Sequence, residues 1–355
     1  MRYWILGAGA VGSYIGGSLA LAGQSVVFID RPQVVSILAR EGLRIEHEDQ
    51  ETHLTQPHVA ASLGEGLSHQ KPDVIVLTVK AYNCQEIARD LSAEAEISAP
   101  IVCVLNGIGN EETLAQAVGE ARVIPATLTS SIRWIEPGRV RLERRRGMGI
   151  ASEHPISKRL ANELHSAGLH PVLYESPRRM KWSKALTNLI ANATSAILGW
   201  VPARIVAHKG LYRLEIEAMR EAVRVMRALG VKPQNLPDVP VEWIARAVFL
   251  PPALTMPLFG KAVISGRGDK LPSFCYDIGR KRSEAPWLFG AIVAEGDRMK
   301  VETPANDVLL DILMGLVEDR LDPADYHGNP ELLLLQAQNA GVPGIRGYNH
   351  PRKAV

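Results

Sequence analysis

The chain has 355 residues, with 40 Lys and Arg against 38 Asp and Glu and 46% hydrophobic residues. Such a length suits two domains, each able to bury a core, and a net charge of +2 gives no ground for nucleic acid or an anionic membrane as the main partner. No apolar run is long enough to span a bilayer, and the N-terminus shows no basic segment, leader-type apolar stretch or cleavage site, so neither membrane anchor nor signal peptide is expected.

The first half alternates short apolar runs with helix-like stretches. Tyr3 to Leu6 reads as a strand, Val11 to Ala22 as a helix packed closely on it, Ser25 to Ile29 as a second strand, and Val34 to Glu41 as a helix closed by Gly42. Asp73 to Val79 is a continuous apolar run, as expected of a strand buried on both faces. Gln85 to Ala93 reads as a helix, and Ile101 to Leu105 and Val123 to Thr127 as further strands. The alternation predicts a doubly wound parallel sheet. Gly138 to Gly147 has a period of two and reads as an antiparallel addition, with Arg144 to Arg146 as a solvated strand edge.

From about Tyr174 the spacing turns helical, with Arg213 to Leu229 ending at Gly230, then Pro286 to Met299 and Asp307 to Asp319. The expected fold class is therefore α/β plus all-α. An N-terminal Rossmann domain over 1–174 precedes an all-helical C-terminal domain over 175–321, and a C-terminal extension over 322–355 docks on the body and is loose from about Gly344. The segment from Asp238 to Asp269, rich in Pro and Gly and carrying Trp243, Phe249 and Phe259, is open to readings as a helical hairpin, a lid or an oligomer contact. Cys84, Cys103 and Cys275 are far apart and form no C-x-x-C pair, which predicts reduced cytoplasmic thiols. The scattered histidines predict no metal site.

Gly7-Ala8-Gly9-Ala10-Val11-Gly12 is a G-x-G-x-x-G loop that leaves the first strand and opens a helix. The first glycine permits a tight turn, the second lets a pyrophosphate approach the backbone, the third allows close helix packing, and the helix N-terminus attracts phosphate. These six residues are the candidate cofactor loop. The second strand ends in Asp30-Arg31, and the two residues point different ways: Asp30 suits the ribose 2′-hydroxyl of NAD, Arg31 the 2′-phosphate of NADP. Lys80, at the end of the next long strand, adds a second cation and tips the balance to NADP; by itself it reads equally as an exposed strand-end lysine. Asn106-Gly107 follows Ile101 to Leu105, at the carboxyl end of a parallel strand where ligands bind in such folds, although Asn-Gly is also a common turn pair.

Trp182 to Leu198 reads as one helix, apolar except for Lys184, Asn188 and Asn192, spaced four apart. At about 3.6 residues per turn these lie on one slowly drifting face. A lysine and two carboxamides are costly to bury without partners. The stripe fits a cavity for an anionic, oxygen-rich ligand; a satisfied structural network is the competing reading.

Taken in order, Gly7 to Gly17, Arg31, Thr78-Val-Lys80, Asn106-Gly107, Trp182-Ser-Lys184 with Asn188 and Asn192, Pro272-Ser273, Asp277, and Glu284 six residues before Gly290 resemble the ketopantoate reductase family (2-dehydropantoate 2-reductase, NADPH-dependent). The resemblance covers Met1 to about Asp319. It implies a Rossmann domain followed by a helical domain, with the active site in the cleft between them. Residues matching Arg31 and Lys80 lie at the NADP 2′-phosphate. The one matching Asn106 lies by nicotinamide and substrate, and the one matching Lys184 is the proton donor. Asn188, Asn192 and Ser273 match substrate-binding positions, and Glu284 one beside the cofactor and the catalytic lysine. The chemistry suits these residue types. Hydride delivered to a 2-oxo carbon leaves an alkoxide, which an ammonium stabilises and protonates. Glu284 favours a charged Lys184, and desolvation opposes it.

The chain also departs from the family pattern. The step from Asp277 to Glu284 is one residue short, and Ala285-Pro286 follows, so that Ser283-Glu284 also reads as a plain helix start. Gly199-Trp-Val-Pro202 stands where some members carry another asparagine, and the Asp238 to Asp269 segment and the tail are long. The leading expectation is NADPH-dependent reduction of a 2-oxo acid, 2-dehydropantoate first, as in pantothenate synthesis. The alternatives are a bulkier 2-oxo acid, an opine-type dehydrogenase relying on His208, or a non-catalytic NADP-binding sensor. The expected partners are a small-molecule 2-oxo acid and, optionally, a second copy in a homodimer.

Overall fold

The structure, a computed structural model, describes residues 1–257 and 271–348. Residues 258–270, which include Phe259 and most of the end of the Asp238 to Asp269 segment, lie outside the described residues, as does the chain from 349. The chain divides into two units, Met1–Lys181 with Leu236–Val239, and Trp182–Asn235 with Pro240 onward.

The first unit carries β1 (Arg2–Leu6), β2 (Ser25–Ile29), β3 (Leu43–His47), β4 (Gln50–Leu54), β5 (His58–Ala60), β6 (Val74–Leu77), β7 (Ile101–Cys103), β8 (Val123–Leu128), β9 (Ser131–Glu136), β10 (Arg139–Arg144), β11 (Met148–Ala151) and β12 (Pro171–Tyr174). Eight of them form one sheet in the order β12-β11-β8-β7-β6-β1-β2-β5. Its neighbours pair in parallel except β8 with β11. Successive side chains of a strand point to opposite faces. Accordingly Tyr3, Ile5, Phe28, Val74 and Val76 enter one buried cluster, and Trp4, Leu6, Val27, Ile75 and Leu77 the other. Both faces are covered, which is why β6 and β7 are apolar at every position and β1 and β2 at all but their exposed first residues, Arg2 and Ser25.

The expected antiparallel addition over 138–147 takes a different place. β10 pairs antiparallel with β9 and parallel with β3, in a separate four-stranded sheet of order β4-β3-β10-β9. Its period of two is real: Val140 and Leu142 pack inward, while Arg139 and Arg141 grip the Glu46 carboxylate at 2.5 Å each. The basic run is only partly a solvated edge. Arg144 and Arg145 are exposed, but Arg146 is half-buried and donates to the Thr129 carbonyl at 3.1 Å. Residues Leu236–Val239 rejoin this unit as a tight reverse turn, Leu236 and Val239 exchanging backbone bonds at 3.0 and 2.9 Å, with Asp238 at φ +53°.

In the second unit the described residues are helical. The long Lys209–Ala228 helix buries three glutamates among its apolar residues. Each has a different task. Glu217 gathers Arg213, Arg220 and Arg224, Glu221 accepts from the N–H groups of Ala305 and Asn306 at the start of the Pro304–Val317 helix, and Glu215 serves the site described below. The tail is not loose from Gly344: Ile345 is buried, and the Gln338 side chain pairs with both the N–H and the carbonyl of Tyr348. Among the described residues no helix is long and apolar enough to cross a membrane.

Candidate functional site

The cofactor loop is built by packing limits that admit only glycine. Gly7 leaves β1 at φ +97°, where a side chain is strained, and a Cβ there would lie 2.9 Å from the Val79 nitrogen. At Gly12 a Cβ would lie 1.9 Å from the Gly7 carbonyl oxygen and 2.5 Å from Thr78 Oγ1. Thr78 holds the turn from the next strand, its hydroxyl lying 2.7 Å from the Gly7 carbonyl oxygen and 3.1 Å from that of Leu6. Gly9 is different, since a Cβ there would meet nothing within 4 Å. That open space is what a pyrophosphate approaching the backbone needs. The Ala10–Leu21 helix begins at this point with no side-chain cap and no acid in its first turn. Its leading N–H groups and positive dipole end therefore meet no competing side-chain acceptor. The loop sits between β2 and β6, where the strand order turns back on itself, the usual binding crevice of an open parallel sheet.

The structure separates the roles of Asp30 and Arg31. Asp30 turns inward, one carboxylate oxygen accepting from the Ala8 N–H at 2.6 Å and the other from the Arg31 N–H at 2.7 Å. It braces the glycine loop. The Arg31 side chain, 3.6 Å from Asp30 at its Nε, stays 82% exposed. Lys80 and Asn106, half-buried, follow the carboxyl ends of β6 and β7, on the same edge of the sheet as the loop.

In the second unit the polar stripe differs from its expected form. The single helix from Trp182 to Leu198 is broken: one helix spans Pro177–Leu189, another Ala193–Leu198. Between them Ala191 adopts φ +50°, a left-handed conformation that costs a non-glycine residue about 1–2 kcal/mol. The buried Glu215 stabilises the break, its carboxylate accepting from the Ala191 N–H at 2.7 Å and from the Thr194 hydroxyl at 2.5 Å. Lys184 and Asn188 stay one turn apart on the first helix, both half-buried, but Asn192 heads the second. Asn192 Nδ2 donates to the Asn188 carbonyl at 3.1 Å. Its Oδ1 is buried and meets no donor among the described residues, and neither does Ser195 Oγ, one turn on. Uncompensated buried polar atoms of this kind are uncommon.

Ser273 opens the exposed start of a short turn, Ser273–Tyr276, that packs on the Ala193–Leu198 helix. Asp277 is buried and accepts from the Ser283 hydroxyl at 2.9 Å and the Glu284 N–H at 3.4 Å, while Ser283 Oγ accepts from the Ala285 N–H at 3.1 Å. Ser283 is not the N-cap that the plain reading expected, since the helix is headed by Ala285 with no side-chain cap, and Glu284 is 5% exposed rather than solvated. The helix expected from Pro286 begins as a π turn, Pro286–Gly290, and becomes α-helical at Ala291. Proline brings no N–H to an ordinary first turn, and π turns concentrate near functional sites.

Several residues that matter escaped the sequence reading. Lys181 is 6% exposed, and its ammonium lies 2.8 Å from Glu111, 2.5 Å from the Leu105 carbonyl oxygen and 3.4 Å from that of Ala126. Burial is the largest single influence and pulls this ammonium down, but the Glu111 charge and hydrogen bond, with Cys103 and Glu112 nearby, together outweigh it and the net shift is upward. In sequence Lys181 looks like one more basic residue on a helix that carries Lys184. Asn110, fully buried, donates to the Asn106 carbonyl at 2.9 Å. Glu215 is hidden within a long amphipathic pattern. Among the described residues no cluster of three His, Cys, Asp or Glu side chains is placed to hold a metal ion, and all three cysteines are free thiols.

Comparison with known proteins places both units. The family model described as ketopantoate reductase PanE/ApbA matches residues 3–152, and that of its C-terminal part matches 177–317. The 2-dehydropantoate 2-reductase of Halobacterium salinarum is 29% identical over 323 residues, covering 88% of this chain and 98% of its own, and that of Pyrococcus horikoshii is 27% identical over 315 residues, 87% and 95%. The crystal structure of a PanE/ApbA family ketopantoate reductase from Ralstonia eutropha superposes with a TM-score of 0.76 at 28% identity, over 90% of this chain and 99% of that one. D-mandelate dehydrogenase, solved with NADH and anilino(oxo)acetate, shares the fold at 23% identity and a TM-score of 0.73, over 90% and 99%. With family matches across both units, this chain belongs to the ketopantoate reductase family, a family of oxidoreductases.

Proposed function

We propose that this protein reduces a 2-oxo acid to the 2-hydroxy acid with NADPH, with 2-dehydropantoate as the first substrate and Lys184 as the proton donor. The observation that carries the reading is the unmet Oδ1 of Asn192. Its partner nitrogen is committed to the Asn188 carbonyl, so the valence left without a partner among the described residues is an acceptor, and an acceptor wants a hydroxyl rather than a carboxylate. 2-Dehydropantoate offers that hydroxyl at its fourth carbon. The nicotinamide supplies the hydride. Lys184 stabilises the developing alkoxide and hands it a proton. Ser273 and Asn106 orient the carboxylate end of the acid. Glu284, whose N–H is held by Asp277, sets the charge beside the lysine.

The preference for NADPH rests on the division of labour at the end of β2. Asp30 has both oxygens engaged by backbone N–H groups, while the Arg31 guanidinium is exposed and available to a 2′-phosphate. The test is cofactor oxidation by the purified protein, NADPH beside NADH, with 2-dehydropantoate and with 3,3-dimethyl-2-oxobutanoate, which lacks only the hydroxyl. Loss of that hydroxyl is expected to lower kcat/KM on the order of 100-fold, because Asn192 Oδ1 then stays unpaired. Equal turnover of the two acids would remove the reading.

One observation favours a bulkier acid as the second reading. The turn where some relatives carry an asparagine is given over to packing. Gly199 sits at φ +65°, a Cβ there would strike His327, and Trp200 lies buried under the Arg204 guanidinium at 3.5 Å. The fold also serves D-mandelate dehydrogenase, whose structure holds anilino(oxo)acetate and NADH. Phenylglyoxylate in the same assay tests this reading, and turnover of it in preference to 2-dehydropantoate would establish it.

A further inference from the structure

The strand that leads to Asn106 ends early. β7 ends at Cys103, which stands opposite Pro125 of β8. Beyond it the chain passes through Leu105 and Asn106 into Gly107 at φ +91° and Gly109 at φ +98°. Val104 is still held to β6, its N–H donating to the Leu77 carbonyl at 3.0 Å, and beyond it Leu105 and Asn106 lie outside the strand. Side chains tie those two residues. The Leu105 carbonyl accepts from Lys181 Nζ at 2.5 Å, and the Asn106 carbonyl accepts from Asn110 Nδ2 at 2.9 Å. The two carbonyls that flank the Asn106 peptide nitrogen and side chain are thus both tied, and the tie from Lys181 runs on to Glu111 and to the Ala126 carbonyl on β8.

We propose that Lys181 is a positioning residue whose ammonium fixes the Leu105 carbonyl and so aims the Asn106 carboxamide at the reacting end of cofactor and substrate; this rests on the role of Asn106 in the proposed reaction. Lys181 is not itself the acid. Its ammonium donates to the Leu105 and Ala126 carbonyls and is ion-paired with Glu111, and it is buried inside the first unit. Glu111 keeps it charged, and a charged donor holds a carbonyl more firmly than a neutral one.

The experiment compares four variants with the wild type, using NADPH and whichever acid of the panel the wild type reduces. Lys181→Met alone strands a buried carboxylate and risks misfolding, so the working variant is Lys181→Met with Glu111→Gln. It is expected to lower kcat on the order of 10- to 100-fold, as a misplacement of about 1 Å does, while leaving the NADPH dissociation constant as in the wild type. Lys181→Gln with Glu111→Gln keeps an N–H for Leu105 and is expected to recover part of that loss. In an Asn106→Ala background the Lys181→Met and Glu111→Gln pair is expected to cost nothing more, because two residues acting through one group do not add. Losses that multiply with Asn106→Ala, a wild-type kcat in the working variant, or a change confined to NADPH affinity would each overturn the inference. An Asn106→Ala variant with unchanged kcat would overturn the underlying role of Asn106 instead, so the two failures are distinguishable.

Discussion

In the proposed function the glycine loop of the first unit and the broken helix of the second solve the same problem, presenting polar groups to a ligand, by opposite means. The loop does so with residues adjacent in sequence. Gly7 turns, Gly12 yields its volume to a carbonyl oxygen, and Gly9 leaves space. The broken helix does so with a partner 24 residues away, Glu215, whose carboxylate holds a left-handed alanine in place and leaves Asn192 Oδ1 uncompensated. A binding device made of local backbone is written in a short motif. One made of tertiary hydrogen bonds is not.

The comparison predicts that loop variants change cofactor affinity and stripe variants change turnover. The largest effect belongs to Lys184→Ala, which is expected to lower kcat about 10²- to 10⁴-fold while NADPH still binds, read by stopped-flow and by NADPH titration. Loss of NADPH binding in that variant would erase the distinction. Gly12→Ala is the complementary case, its Cβ meeting the Gly7 carbonyl oxygen at 1.9 Å. It is expected to abolish NADPH binding by displacing the loop, and a calorimetric titration with wild-type affinity would show that the loop does not need its glycine there. Glu215→Ala removes both acceptors from the helix break and strands the buried Ala191 N–H and Thr194 hydroxyl, at a cost of about 2–4 kcal/mol and with a lowered kcat. An unchanged melting temperature would mean that the break is stable without its acid.

A smaller effect concerns pH. Burial pushes the Glu221 carboxyl up to about 7, against the hydrogen bonds from Ala305 and Asn306 that favour its charge. A carboxyl raised in the folded state holds a proton that the unfolded chain has released. Its contribution is thus greatest below the unfolded value near 4.5 and declines as pH rises through that value toward about 7. The protein should lose up to about 3 kcal/mol of stability across that window, and Glu221→Gln should flatten this part of the profile in denaturant titrations run at each pH. Smallest is Arg31→Ala, expected to raise KM for NADPH about tenfold and leave that for NADH unchanged, since one exposed phosphate contact is worth roughly 1–2 kcal/mol.

What could be read in the sequence follows the same divide. The parallel sheet was legible because strands covered on both faces must be apolar throughout, and the cofactor loop because glycine is irreplaceable where backbone meets backbone. β3 and β4 were not, since Arg44, Glu46, Gln50, Glu51 and His53 make them polar, and the pairing of Glu46 with Arg139 and Arg141 is tertiary and leaves no mark in the local pattern. The helix from Trp182 to Leu198 had uninterrupted periodicity, so nothing local announced the break at Ala191. Asp30 beside Arg31 stayed ambiguous because residue type does not say which side chain turns inward. Lys181 was overlooked for a related reason, since the carbonyls it meets have no sequence identity at all.

The return of Leu236–Val239 to the first unit bears on modularity. Pro237 stands where a Cβ on Gly147 would come within 3.0 Å of it, so the short turn fills a fitted place beside the strand that ends the basic run. A gene cut after Lys181 would encode a first unit lacking one of its own pieces, and the excised remainder would carry that piece as an orphan. The two halves are thus interleaved rather than strung together, and exchanging one of them between relatives by simple fusion at that boundary should fail unless the four-residue turn travels with it.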